Sequence, residues 1–299
     1  MSPVFLYFAS GESLYGGAGL LLLAITLSPL ARKSWQIQLR NTAAWLAIAL
    51  VIVASPPSSL IGDATFLAAF LMWLSTANDW WVRRRPQGGH LASSALLVIA
   101  LSALLTEQFS YRRMPTITGA SSDHLVIIGD SISAGLDTRV PTWPVVFQNV
   151  TGIFTKNLSK PGVQTSEGPA MADKVTLDDH VVLVEVGGND LLSGISSVVF
   201  ERNLDATLSK LAMPGRTTVM FELPLLPNKT AYGRVQRRLA AKYRVWLIPK
   251  RFPVDIIGAA DATSDGLHLS EVGAHRMAVL VAKTLAAVLR PNLARKNGQ

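Results

Sequence analysis

The stretch from His124 to Ser133, HLVIIGDSIS, decides the fold. Leu125 to Ile128 is an unbroken apolar run rich in β-branched residues, the pattern of a strand buried on both faces in a parallel sheet covered by helices. The run stops at Gly129, Asp130 and Ser131, where glycine permits a sharp turn. Ser131 then sits at the carboxyl end of a strand, where open α/β sheets place their ligands. A serine there is a nucleophile if a base reaches it. On their own, G-D-S reads equally as a turn with a capping serine, so the weight falls on what lies downstream.

Downstream, strand and helix signals alternate. Trp143 to Val150 reads as a helix opened by Pro141 and Pro144, Ile153 to Leu158 as a strand, and Glu167 to Lys174 as a helix. Val181 to Val186 is a second fully buried strand, and Phe200 to Ala212 carries helical spacing at Leu204, Leu208 and Leu211. Thr217 to Leu223 is a strand, Tyr232 to Tyr243 a basic-faced helix, Val245 to Pro249 a strand and Glu271 to Leu289 a final helix. Such alternation predicts a three-layer α/β/α domain on a mainly parallel sheet.

Three further groups of polar residues fall at or after strand ends. Asn157 to Gly162 (NLSKPG) ends in a glycine that can bring a bare N–H to a ligand. Gly187, Gly188, Asn189 and Asp190 follow the strongest strand, with an uncharged amide suited to holding an oxyanion. Asp265 stands three residues before His268, a spacing that lets a carboxylate hold one imidazole nitrogen and leave the other free as a base. Taken singly, each is also an ordinary turn or cap.

Together and in this order, the four blocks resemble the SGNH hydrolase family, the GDSL esterases and lipases. Gly129, Asp130 and Ser131 match its first block, Asn157 and Gly162 its second, Gly187 to Asp190 its third, and Asp265 and His268 its last. The resemblance covers roughly residues 124–289. It implies a flavodoxin-like fold, Ser131 as nucleophile, His268 as base and Asp265 as its orienting carboxylate. It further implies an oxyanion hole from the N–H groups of Ser131 and Gly162 and the amide of Asn189, supported by Asp130, Gly188 and Asp190. No metal or cofactor is implied, and His90, His124, His180 and His275 have no companions at metal-ligand spacing. Lys160 and Pro161 depart from the small residues common beside the second-block glycine, and Pro161 stiffens that loop.

Residues 1–110 read differently. Charged residues make up only 16% of the 299-residue chain, against a soluble norm of about 25%. Four apolar stretches, Leu14–Leu30, Thr42–Leu60, Ala64–Val82 and Gly89–Leu105, approach the roughly 17–25 residues that cross a bilayer. Asn78 and Asp79 interrupt the third, so three spans, or a re-entrant second and third segment, are the alternatives. A cleaved signal peptide needs a basic leading region, and Met1 to Tyr15 has no Lys or Arg.

Arg32, Lys33 and Arg40 fall between the first and second stretches, and Arg83, Arg84 and Arg85 between the third and fourth. Both basic loops are then cytoplasmic, and everything beyond the fourth span is periplasmic or exterior. Trp35, Trp45, Trp73, Trp80 and Trp81 fit an interfacial belt near span ends, and Glu12 and Asp79 fit solvated interfacial carboxylates. The formal net charge of +8 divides evenly between residues 1–114 and the rest, so it forms no compact patch for nucleic acid. With no cysteine in the chain, thiol chemistry and disulfides are absent.

The expected organisation is a membrane region over 1–110, a linker over 111–123, a catalytic domain over 124–290 and a tail over 291–299. The expected function is a serine esterase in the inner (cytoplasmic) membrane that de-acylates an ester of a cell-envelope glycan or a lipid. An O-acyltransferase passing its acyl group from Ser131 to a sugar hydroxyl, and a non-catalytic envelope-assembly module, are the alternatives. The spans either anchor the domain alone or also recruit an envelope-biosynthesis partner. Acyl chain length and oligomeric state are not legible.

Overall fold

The structure, a computed structural model, describes residues 3–54, 56–83, 87–137 and 139–290. The tail over 291–299 and the Arg84–Arg85 pair of the second basic loop lie outside these residues. The chain divides into two compact units, one holding residues 113–224 and 231–299 with the first six residues, the other holding 7–112 and 225–230.

A short helix α1 (Pro3–Ala9) precedes the four long helices of the second unit: α2 (Ser13–Leu27), α3 (Ser34–Val53), α4 (Leu60–Arg83) and α5 (Gln87–Ser110). All four long helices have the length and apolar composition to cross a membrane. They are apolar on every side: Leu21, Ala47, Phe70, Trp73 and Leu101 pack inward, while Leu23, Leu46, Ile52, Leu71 and Ile99 stay exposed. A helix that is hydrophobic all round is the mark of a membrane span, not of an amphipathic surface helix.

Two expectations need correction here. The second long helix is Ser34–Val53, not Thr42–Leu60, because Pro56 and Pro57 cannot continue a helix. Arg40 is therefore no loop residue but a buried one on α3. Its guanidinium donates to Asn41 Oδ1, Ser28 Oγ, the Ala77 carbonyl and, at 2.6 Å, Asn78 Oδ1. Five N–H donors find neutral oxygens, which is how a buried fork of this kind is satisfied. The second correction is Trp73, which is fully buried against Phe70 in the bundle core and takes no part in an interfacial belt. The helices α3 and α4 are each continuous along their length. The side chains of Asp79, Trp80 and Trp81 lie outside the described residues.

The first unit is an α/β domain. Five strands, β1 (His124–Gly129), β2 (Phe154–Asn157), β3 (Val181–Glu185), β4 (Thr217–Phe221) and β5 (Trp246–Ile248), form one parallel sheet in the order β2-β1-β3-β4-β5. Side chains alternate across a pleated sheet. On one face Leu125, Ile127, Leu183 and Val219 pack with Trp143 and Phe147 of α7 (Trp143–Thr151) and with Met277 and Val281 of the C-terminal helix Glu271–Leu285. The alternate residues Val126, Ile128, Val182, Val184 and Met220 point to the other face and are equally buried. Burying one such side chain contributes about 1.5–3 kcal/mol, and the run L-V-I-I needs both faces covered to gain it.

The chain leaves β1 for β2 on one side and returns to place β3 on the other. The order therefore reverses between β1 and β3, and a crevice opens beyond their carboxyl ends, where such sheets bind ligands. Ser131 and Asn189 belong to the segments that leave these two strands. Arg237 on the basic-faced helix Thr230–Tyr243 is buried in an ion pair with Glu222.

Candidate active site

Gly129 ends β1 because nothing larger fits there: a Cβ would come within 2.8 Å of the Glu185, Ser133 and Ser159 side-chain oxygens. Asp130 follows as the cap of α6 (Ser131–Ala134), its Oδ1 accepting from the Ile132 N–H at 3.0 Å. This turn presents Ser131, 8% exposed, on the first turn of the helix, where its own N–H has no carbonyl a turn earlier to reach.

Across 137 positions of sequence, His268 Nε2 lies 3.1 Å from Ser131 Oγ. The other ring nitrogen, Nδ1, lies 2.6 Å from Asp265 Oδ2. Asp265 is fixed in turn by its Oδ1, which accepts the N–H groups of Leu267 and His268 at 2.9 and 2.8 Å. The imidazole contact and these two amides hold its carboxyl well below the usual carboxylate range. Asp265 is ionised whenever the enzyme works, and Nδ1 is the protonated nitrogen it selects. Nε2 is left facing the serine.

Gly187 to Asp190 form the turn from β3 into α9 (Gly188–Leu192). Gly187 has φ +114°, and a Cβ there would stand 2.8 Å from Phe200 Cε2 and 3.0 Å from Leu223 Cδ1. Gly187→Ala is expected to destabilise the domain by about 2–4 kcal/mol, combining backbone strain with overpacking. Denaturant unfolding measures it, and a loss under about 0.5 kcal/mol would contradict this account.

Asn189 donates from Nδ2 to the Val163 carbonyl at 2.9 Å and, at a longer 3.3 Å, to Asp130 Oδ2. Asp190 is buried and anchors the neighbouring loop by accepting from Thr165 N and Thr165 Oγ1 at 2.9 and 2.5 Å. Asn157 donates to the Ser133 carbonyl at 3.1 Å, tying the second block to α6. Gly162, at φ +76°, is joined to the site through its neighbour Val163. Its N–H makes no hydrogen bond within the described residues.

Two cavities meet at Ser131 and Ile132. One, of about 180 Å³, runs beneath Leu136, Val140, Trp143 and Leu269. The other, of about 110 Å³, runs past Asn189 toward Leu192, Leu223, Pro253 and Ile257. Sequence reasoning missed Glu185, which ends β3 and lines the second cavity. Burial and the adjoining Asp130 carboxyl push Glu185 well above its ordinary range, and burial raises Asp130 as well. The only sign of Glu185 in the sequence is one charged residue in an otherwise apolar strand. Among the described residues no cluster of three metal-ligating side chains occurs.

Residues 127–276 match the GDSL-like Lipase/Acylhydrolase family. An arylesterase of Vibrio mimicus is 31% identical over 168 residues, covering 50% of this chain and 80% of its own. Esterase TesA of Pseudomonas aeruginosa is 27% identical over 57% of this chain and 91% of its own. The solved structure of TesA, 28% identical, aligns with 56% of this chain and 99% of its own at a TM-score of 0.49. The four blocks found in the sequence all fall within the matched segment. The chain belongs to the GDSL-like lipase and acylhydrolase family, the SGNH esterases, and is a carboxylic ester hydrolase.

Proposed function

We propose a membrane-anchored serine esterase that removes a short acyl group from an ester of the cell envelope, with Ser131 as nucleophile. One observation carries this reading: the unbroken contact from Asp265 through His268 to Ser131, with the serine at the mouth of two apolar cavities. His268 Nε2 takes the Ser131 proton as Oγ attacks the ester carbonyl, and Asp265 stabilises the imidazolium that forms. The Ser131 and Gly162 N–H groups and the Asn189 amide receive the charge on the carbonyl oxygen. Collapse expels the alcohol, protonated by His268. Water, activated by the same base, then attacks the acyl-serine and releases the acid.

Cavities of about 180 and 110 Å³ fall below the roughly 300–1,000 Å³ of drug-sized ligand sites, which favours an acetyl-sized group on a glycan over a long lipid chain. Four apolar helices support an anchor in the inner membrane, and the basic residues between α2 and α3 and after α4 support placing the domain on the periplasmic or outer side.

The test is hydrolysis of p-nitrophenyl esters of increasing chain length by the full-length protein. A maximum at acetyl supports the proposal, and a maximum at long chains points to a lipid instead. If Ser131 is labelled by a fluorophosphonate yet releases product only with a sugar acceptor, the protein is an acyltransferase. Asn189→Ala is expected to lower kcat by about 10²–10³-fold with little change in KM, because its amide acts on charge that develops only in the transition state.

A further inference from the structure

The Glu185 carboxyl has no place in the triad, yet it sits directly behind the nucleophile. Its Oε2 accepts from the Ser133 hydroxyl at 2.8 Å and from the Asp130 N–H at 3.2 Å. Ser133 itself accepts from Trp143 Nε1 at 3.1 Å, which commits the Ser133 proton to Glu185. The Glu185 and Asp130 carboxyl groups adjoin here; burial and the neighbouring carboxyl raise Glu185 well above its ordinary range, and burial raises Asp130 as well. A buried pair of this kind holds one proton between its two members.

Asp130 is the member of the pair that meets the reaction. Its Oδ1 caps the helix that begins with Ser131, and its Oδ2 accepts one hydrogen of Asn189. Both amide hydrogens of Asn189 are therefore engaged, one on the Val163 carbonyl and one, the longer bond, on Asp130. The longer bond is the one that exchanges for a carbonyl oxygen acquiring charge. A second full negative charge here would oppose that exchange, since like charges in a dry site repel strongly.

From the elements packed around the pair, the other ionisable groups are His268 and Asp190, which act on Asp130, and Glu222 on the wall of the second cavity. Glu222 is compensated by Arg237 and accepts the Lys250 N–H. That leaves the Glu185 proton as the group that keeps the pair at one negative charge.

We propose that Glu185 is a positioning residue for ester hydrolysis: it holds the Ser131 turn through the Asp130 N–H and the Ser133 hydroxyl, and the proton it shares with Asp130 keeps the pair at one negative charge. This rests on the serine esterase reading given above. When Glu185 loses its proton, the pair becomes doubly charged and Asp130 is pushed from its place on the Ser131 turn.

The experiment compares full-length wild type, Glu185→Gln and Glu185→Leu in kcat and KM across pH, with thermal melting to verify folding. Glutamine keeps a neutral donor toward Asp130 and an acceptor toward Ser133. It is expected to lose less than about threefold in kcat at neutral pH and to lack the alkaline fall in kcat expected of wild type. Leucine removes both bonds and is expected to lower kcat by about 10–100-fold, with KM nearly unchanged. An alkaline fall that persists in Glu185→Gln, or a loss in glutamine as large as in leucine, overturns the proposal.

Infrared difference spectra of the wild type and Glu185→Gln supply a second readout that needs no activity. A protonated-carboxyl carbonyl band at neutral pH in wild type, missing in the variant, supports the shared proton. Its absence from wild type overturns it. If even wild type cleaves no ester, the esterase reading fails, and the infrared result still decides whether Glu185 carries the proton.

Discussion

Ser131→Ala is expected to lower kcat for a short-chain ester by about 10⁴–10⁶-fold and to abolish fluorophosphonate labelling, while the protein stays folded. The size of the loss follows from the geometry. Ser131 Oγ stands 3.1 Å from His268 Nε2 at the junction of the two cavities. The residual rate comes from the aimed donors, which still polarise a carbonyl for attack by water. Stability should change by no more than about 0.5–1 kcal/mol, because one hydroxyl is lost and the side chain of His268, 19% exposed, regains water. Steady-state kinetics beside a thermal melt separates the two effects. A variant that keeps more than about 1% of wild-type kcat would show that Ser131 is not the nucleophile.

The parts of this molecule that were legible in the sequence share one property: their physical signal is local. The run L-V-I-I is continuous and β-branched, and it became the interior strand β1. Helices with three or more apolar repeats, such as Ser197–Leu211, were found to within a few residues. Short helices were not: α6, α9 and Arg251–Ile257 have 4, 5 and 7 residues, too few for helical periodicity to show. Strand order was not legible either, because β1, β3 and β4 are buried on both faces and nothing in an apolar run names its neighbour. Arg40 was misplaced because a charged residue normally ends an apolar run, whereas here Asn41, Asn78, Ser28 and a carbonyl supply acceptors inside the bundle. In the site, Ser131, Asp265 and His268 were named from motif resemblance, and their meeting in space is a product of the sheet. Glu185 was passed over for the opposite reason. It lies in VVLVEV, which reads as a strand, and its contacts with Asp130 and Ser133 appear only once β1 and β3 are paired.

His268→Ala is expected to match Ser131→Ala in severity, and the double variant should be little worse than either single one. The serine hydroxyl is a poor nucleophile without a base, and the base has no task without the hydroxyl, so the two losses overlap instead of adding. Asp265→Asn should be milder. Comparable carboxylate removals cost about 10⁴-fold where the group is buried, but the Asp265 side chain is 49% exposed and water screens its charge. About 10²–10³-fold in kcat is the expected loss, with the imidazole orientation largely kept because asparagine still accepts from the Leu267 and His268 amides. The pH dependence has a definite sign. The Asp265 carboxyl is held below its ordinary range, so what it contributes to stability is present above the unfolded value of about 3.9 and disappears as pH falls through its depressed folded value. Protonation of Asp265 therefore does not set the acid limb of activity. Because Asp265 stabilises the imidazolium, Asp265→Asn should lower the whole profile and move its acid limb to lower pH. An acid limb that stays in place in Asp265→Asn would show instead that Asp265 only orients the ring.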